Sequence, residues 1–422
     1  MTFDLQTPGR PAPEDRPGCG PLAAPAISDR RPLRQQVFEC VRAAGHIARA
    51  DITRALEVSP GSVTQLTAEL IAAGLLREVE ERPREQGRGR PPVALEVVGA
   101  ARYVIGMKLA EEHHIGVLCD LAGNIRAEAE LPSADRRQSV AALADEAAAL
   151  ARALLDASGL GADQVCGYGV GLPGIVDFDA GIVRWSPLID SRDAPLRDAL
   201  ADRLQTPVQI DNDANTYTLA ELWFGVGRDI PDFAVITIEQ GVGMGLVLNS
   251  RLFRGGKGQG MELGHTKVQL DGALCRCGQR GCLEAYLADY ALAREAATAL
   301  GRPPDAALSA RALLSTLAEQ ARAGHGPART IFRRAGRYLA IGLANVIQLF
   351  DPNLVILSGE RLDYDYLYTT DLLAEMQSQT LSGESAPTRV EIHAWGSPVW
   401  ARGAAALALS ALTDQLFGDW AA

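Results

Sequence analysis

The sequence predicts an α/β protein in which a small helical domain with a β-hairpin precedes a mixed sheet covered by helices. Three observations carry this. Between residues 33 and 73 the apolar residues recur at helical spacing in three short runs, each closed by a turn signal. From Arg102 onward, short apolar strands alternate with longer helical stretches, the pattern of strands joined by crossovers. Near the middle, His265, Cys275, Cys277 and Cys282 crowd one imidazole and three thiols into a compact span, the ligand set of a closed tetrahedral metal site.

At 422 residues the chain is long enough for two or three domains with real cores. Hydrophobic residues at 47% and charged residues at 22% describe an ordinary soluble protein. No stretch has the length of a transmembrane helix, and the N-terminus lacks the apolar core of a signal peptide, so no membrane partner is expected. Three of the seven cysteines fall within eight residues, placed for metal rather than for disulfides; this argues for a reducing, cytoplasmic location. The net charge of −11 is unevenly spread. Residues 1–100 balance 13 Arg against 13 acidic residues and contain no Lys, so the whole deficit lies in the remainder.

Residues 1–29 are rich in Pro, Gly and Ala without a hydrophobic period and read as a disordered tail. A domain over 30–97 follows. Leu33, Val37, Cys40, Val41 and Ala44 share one face of a first helix that Gly45 ends. A second short helix covers 49–56. Pro60 suits the first position of a third, about residues 60–73, which turns Val63, Leu66, Leu70 and Ile71 inward and Ser62, Thr64, Gln65 and Thr67 outward. Gly74 caps it, and 75–79 reads as a strand. Three helices and a hairpin form the layout of a winged helix-turn-helix, whose third helix enters the major groove of double-stranded DNA. At the hairpin tip, Arg82, Arg84, Arg88, Gly89, Arg90 and Pro91 make an extended basic loop suited to a minor groove. The predicted DNA contacts are Ser62, Thr64, Gln65, Thr67, Arg88 and Arg90. A solvated helical docking domain is the alternative.

Residues 98–422 form the α/β part. Strands are expected over 103–107, 115–119 and 167–171, with an Ala-rich helix over 140–158 between them. A strand at 208–210 leads through Asp211, Asn212, Asp213 and Asn215 into a helix over 218–224. A carboxylate there can take a proton from a hydroxyl, although Asx residues also favour helix caps. A long apolar helix over 328–350, with Ile331, Ala335, Leu339, Ile341, Leu343 and Val346, suits core or subunit packing. In the metal segment over 262–284, Cys-x-Cys puts two thiolates on one turn, and Gly278 and Gly281 fold the backbone back to deliver Cys282. Four protein ligands leave no open position, so the metal, zinc, is expected to be structural.

Glu-x-Gly-His at 262–265 followed by Cys-x-Cys-Gly-x-x-Gly-Cys at 275–282 resembles the signature of the ROK family of sugar kinases and sugar-responsive repressors. The resemblance runs from about residue 30 to about 412 and extends to the Arg-Gly-Arg-Pro wing of the repressor branch, which includes repressors responsive to xylose and N-acetylglucosamine. It implies a two-lobed actin-like fold of the sugar kinase type with the sugar in the cleft between lobes. It also implies that Asn212, Asp213, Glu262, His265 and Glu284 bind the sugar, with His265 doubling as a zinc ligand, and that Asp213 occupies the position of the general base.

The nucleotide contacts depart from that pattern. Where a ROK kinase has Asp-x-Gly-Gly-Thr, this chain has Lys108, Leu109, Ala110, Glu111 and Glu112, which removes the acid and both glycines. Two glutamates there repel a polyphosphate. Glu239 and Gln240 replace Gly-Thr before the glycine run at 241–245, and Ser358 and Glu360 stand where the adenosine-side motif has glycines. The expectation is therefore a regulator, a repressor without catalytic residues in which Asp213 is a vestigial base. Its effector is a monosaccharide or sugar phosphate, its partner a DNA operator, and its assembly a homodimer or homotetramer. The alternatives are an active ATP-dependent sugar kinase with an appended DNA-binding domain, and a DNA binder with a silent cleft.

Overall fold

Central strands buried on both faces and helices with three-to-four apolar spacing build the chain into two compact units. The computed structural model describes residues 17–22, 31–80, 93–134, 137–258, 260–299, 310–359, 370–381, 387–393, 396 and 398–418. Among these, one unit comprises 17–231, 247–258 and 398–418, and the other 232–246 and 260–396.

The first unit opens with α1 (Leu33–Ala44), β1 (His46–Ala48), α2 (Arg49–Leu56), α3 (Pro60–Ala72), β2 (Leu76–Glu80) and β3 (Val93–Val97). Val37, Phe38 and Val41 of α1 are buried with Ile52, Val63, Leu70, Leu76 and Leu95. Gly45, at φ 78°, ends α1, and the Ser59 hydroxyl caps α3 by accepting from Ser62 N–H at 3.1 Å, with Pro60 in the first turn. The three strands pair antiparallel in the order β1-β3-β2, from Leu76↔Val97 to Glu80↔Val93. The tip between β2 and β3, with Arg82, Arg84, Arg88 and Arg90, lies outside the described residues.

Then come β4 (Tyr103–Lys108), β5 (His113–Asp120), β6 (Ile125–Pro132), α4 (Val140–Ser158), β7 (Val165–Leu172), β8 (Ile175–Asp177), β9 (Ile182–Trp185), α5 (Leu196–Leu204), β10 (Val208–Asn212) and α6 (Asp213–Phe224). The sheet order is β10-β7-β4-β5-β6, with β10, β7 and β4 mutually parallel. Ile105 and Met107 point into a core with Leu143, Ala147, Leu150 and Leu154 of α4. α6 begins five residues earlier than the sequence pattern suggested, because Asn212 accepts from Ala214 N–H and starts the helix directly at the strand end.

The second unit holds β11 (Phe233–Ile238) and β12 (Val242–Leu248) up to Leu246; the end of β12 and β13 (Arg251–Phe253) belong to the first unit. After the metal segment come α7 (Glu284–Leu287), α8 (Asp289–Ala299), α9 (Ala310–Arg322), α10 (Gly326–Phe350), β14 (Leu354–Ser358), α11 (Thr370–Gln379) and β15 (Arg389–Ile392). β11, β14 and β15 are parallel neighbours. α10 buries Ile331, Ala335, Leu339, Leu343 and Val346, while Ile341 is half-buried. Its apolar stripe is therefore mostly core. No helix among the described residues is long and apolar enough to cross a membrane.

The final helix, α12 (Val399–Gly418), returns to the first unit and covers the sheet face opposite α4. It sits down on backbone. A methyl on Gly106 would overlap the Ala401 carbonyl, and one on Gly169 the Ala404 carbonyl. The expected disordered tail needs one correction: residues 17–22 pack into this unit, with Cys19 buried and its N–H bonded to Arg42 O at 2.9 Å. The other residues of 1–29 lie outside the described ones.

Gly169→Ala is expected to lower the melting temperature, at a cost of roughly 1–3 kcal/mol from overpacking against fixed backbone. Gly167→Ala, two residues away in the same strand with only Pro207 O at 3.9 Å, is the tolerated control in the same thermal melts.

Candidate functional site

The donor atoms of His265, Cys275, Cys277 and Cys282 all lie within 4.8 Å of one another. A helical turn at Leu263–His265 presents the imidazole, and Cys275 and Cys277 sit on a turn closed by Gly278 N–H to Cys275 O at 3.0 Å. Gly278 (φ 87°) and Gly281 (φ 73°) make that reversal possible, and a side chain on Gly281 would overlap the Gln269 carbonyl. Cys277 Sγ and Cys282 Sγ are 3.7 Å apart, and His265 Nδ1 is 3.7 Å from Cys275 Sγ. Two thiolates bound to one tetrahedral ion are about 3.8 Å apart. The four residues therefore fit a metal ion. Burial pushes the Cys275 thiol up, so a cation beside it is what favours the thiolate. Lys267 Nζ lies 2.9 Å from Cys282 Sγ, adding positive charge next to the sulfur cluster.

The carboxylates at both ends of this segment, Glu262 and Glu284, lie against the cluster. Glu262 Oε2 lies 4.0 Å from His265 Nε2, the ring nitrogen that faces away from Cys275. Glu284 is buried at the start of α7. Its Oε1 accepts from Cys275 Sγ at 3.5 Å and from Tyr290 OH at 3.4 Å, and its Oε2 from Val242 N–H at 3.4 Å. Glu284 thus joins the metal cluster to the glycine turn between β11 and β12.

In the other unit, Lys108, Gly171 and Asp211 stand side by side at the carboxyl end of three parallel strands, where α/β sheets bind ligands. Asn212 is the cap of α6, and its amide also donates to Gly174 O at 2.7 Å. Asp211 is buried and fully engaged, accepting from Arg254 Nε at 2.7 Å, Asn215 Nδ2 at 2.8 Å and Asn212 N–H at 2.8 Å. Arg254 stacks on Phe178 at 3.9 Å and, with Asp177, Arg184 and Lys257, lines a cleft of about 270 Å³. Burial pushes the Asp213 carboxyl up, while the Lys108 ammonium and the Ala214 N–H pull it back down. Lys108 itself is buried, its Nζ 3.9 Å from the centre of the Trp400 ring. Glu111 and Glu112 are exposed on the turn that follows.

On α3, Thr64 and Gln65 are exposed and Ser62 is half-buried against the Ser59 hydroxyl at 2.8 Å. Thr67 corrects the outward reading. It is fully buried, accepting from Arg49 Nε at 3.0 Å, and cannot reach a base edge. Arg88 and Arg90 lie outside the described residues.

The sequence model of the ROK family matches residues 104–411. The chain belongs to the ROK family. Among its curated relatives, the DNA-binding transcriptional dual regulator NagC of Escherichia coli K12 is 28% identical over 355 residues, covering 82% of this chain and 84% of that one. The xylose repressor of Caldicellulosiruptor bescii is 26% identical over 361 residues, covering 82% and 87%. Among solved structures, a ROK family transcriptional regulator described as a homolog of the E. coli MLC protein superposes with a TM-score of 0.73 at 26% identity, covering 91% of this chain and 97% of that one. A ROK family glucokinase from Streptomyces griseus, solved with glucose and AMPPNP, gives 0.62 at 29% identity, covering 73% and 99%.

The ROK signature pointed to the ligands and carboxylates but not to their supports. Arg254, Lys267, Trp400 and Tyr290 have no spacing signal of their own, and only the fold brings them to their partners. Asp213 gives a pH test. A carboxyl held above its usual range binds a proton more readily in the folded state, so its contribution to stability falls as pH rises past the unfolded value near 4. Asp213→Asn removes that loss, so its melting temperature relative to wild type is expected to be higher at pH 7 than at pH 3. An equal difference at both pH values would contradict it.

Proposed function

We propose that this ROK chain is a sugar-responsive, DNA-binding transcriptional regulator, a repressor, whose effector is a monosaccharide or sugar phosphate. The observation that carries this is the coverage by regulators: NagC and the xylose repressor align over 82% of the chain, and the regulator structure over 91% against 73% for the glucokinase. The three helices and antiparallel sheet at 33–97 are the elements of a winged helix-turn-helix. In this reading α3 lies in the major groove, with Thr64 and Gln65 reaching base edges and Ser62 at the groove wall. Arg88 and Arg90 lie along the backbone or minor groove. A homodimer or homotetramer presents two such domains to a two-fold operator.

The sugar contacts carried over from the family are Asn212 and Asp213 in one unit and Glu262, His265 and Glu284 in the other. The metal is zinc, held by His265, Cys275, Cys277 and Cys282, and it supplies rigidity to the turn that carries these groups. In this reading the carboxylates of Asp213, Glu262 and Glu284 accept hydrogen bonds from sugar hydroxyls and so select the sugar. Loss of kinase chemistry is supported by Lys108, which places an ammonium at the strand end where ROK kinases carry an acid. Glu111 and Glu112 add negative charge on the adjoining turn. The retained Asp213 makes an active kinase the second reading.

The deciding measurement is fluorescence anisotropy on DNA from upstream of the gene at fixed salt. The panel is D-xylose, D-glucose, N-acetylglucosamine and their phosphate monoesters. One sugar is expected to change operator affinity, and ATP to give no thermal shift; an ATP shift with sugar phosphorylation would establish the kinase instead. Gln65→Ala is expected to cost about 1–3 kcal/mol at particular base positions, whereas Arg88→Ala with Arg90→Ala weakens binding over all sequences. Cys277→Ser is expected to drop the metal content from about one zinc per chain and to lower the melting temperature, read by elemental analysis and thermal melts.

A further inference from the structure

Helices α6 and α12 both run from the strand edge that carries Asn212 and Asp213 to the three-helix domain. α6 starts at its Asn212 cap and extends about 18 Å. α12 starts beside Lys108 through Trp400, whose ring meets Tyr217 of α6 edge-on at 4.7 Å. Gly403 lets the two helices touch backbone to backbone: a methyl there would overlap the Thr216 carbonyl. Packed this closely, the pair has no room to slide and behaves as one rigid strut.

At their far ends both helices hold α1. From α12, Thr413 Oγ1 accepts from Arg42 Nη1 at 2.7 Å, Asp414 Oδ1 accepts from Gln35 Nε2 at 2.7 Å, and Phe417 packs on Phe38 with centroids 5.5 Å apart. From α6, the Trp223 ring lies 4.6 Å under the Arg42 guanidinium, and the Trp223 carbonyl accepts from Gly20 N–H at 2.9 Å. Just beyond α6, Arg228 is only 1% exposed. It donates to Gly20 O at 3.0 Å, to Pro17 O at 3.2 Å and to Ala43 O, the last at the end of α1. The strap 17–22 closes the ring of contacts by donating Cys19 N–H to Arg42 O at 2.9 Å and Leu22 N–H to Arg228 O at 2.7 Å. A buried guanidinium shared among carbonyls from two distant segments fixes their spacing, because removing it orphans all three acceptors.

We propose that Arg228 and the strap 17–22 clamp the helical domain to the α6–α12 strut, making Arg228 the positioning residue through which a ligand at the start of α6 reaches α1 and α3. The functional half of this rests on the reading of the chain as a sugar-responsive regulator; the clamp itself does not.

The test uses the full-length protein, its Arg228→Met variant and the milder Thr413→Val. Hydrogen exchange is followed in peptides covering 17–22 and 41–45, and operator affinity is measured with and without each sugar of the panel above. In wild type the sugar-induced change is expected within about 5- to 150-fold, the usual size of a coupling between sites. Arg228→Met is expected to speed exchange in both peptides and bring that change to within about twofold of unity, while sugar affinity itself stays within about threefold. Thr413→Val is expected to give an intermediate coupling, and it carries the test if Arg228→Met fails to fold. Wild-type exchange in both peptides, or a full sugar response in the variants, overturns the clamp. If wild type responds to no sugar, the regulator reading fails and exchange alone decides the clamp.

Discussion

The close seating of α12 on backbone is the constraint from which the first unit follows. Gly106 and Gly169 leave the sheet bare where the helix lands, and Gly403 does the same where α6 crosses it. With no side chains between them, these elements can hold only one spacing. That spacing places Trp400 under Lys108 at one end and Phe417 against Phe38 at the other. The strand edge and the helical domain are thereby registered to each other by steric contact, which tolerates little adjustment.

In the second unit an apolar core of β11, β14 and α10 stands beside a metal segment held by chemistry of a different kind. In that segment Cys275 and Cys282, with Ala285 just beyond it, form a small buried cluster with Tyr286 packed against it. Glu284 ties that cluster to the turn between β11 and β12. A carboxylate placed there is costly to bury and is accepted because several donors share it. The same logic holds for Asp211 and its three donors, while burial raises the proton affinity of the neighbouring Asp213.

Much of this was legible in the residues. The helices over 33–56, the glycine stop at 45, the alternating strands and the Cys3His spacing all express local physics, and all recur in the fold. Thr67 was misread although its signal was present: it falls four residues after Val63 and three before Leu70, on the buried stripe of α3. Residues 17–22 were not legible, because Pro and Gly resemble disorder unless a distant partner arrives. Here the partner is Arg228, more than two hundred positions later. Arg254 with Asp211 and Lys108 with Trp400 are hidden for the same reason, since each pairing is made by topology rather than by spacing.

The place of α12 in the chain has a consequence for synthesis. Domains emerging from the ribosome fold as units, the N-terminal one first. This N-terminal unit cannot do so, because the helix that covers its sheet and braces α1 is made only after the whole of the second unit. Until those residues emerge, the glycine-lined face of the sheet stays open to solvent and the helical domain lacks its brace. A chain interrupted before α12 by a nonsense codon or a stalled ribosome therefore loses the cover of its first sheet and the brace of its three-helix domain together.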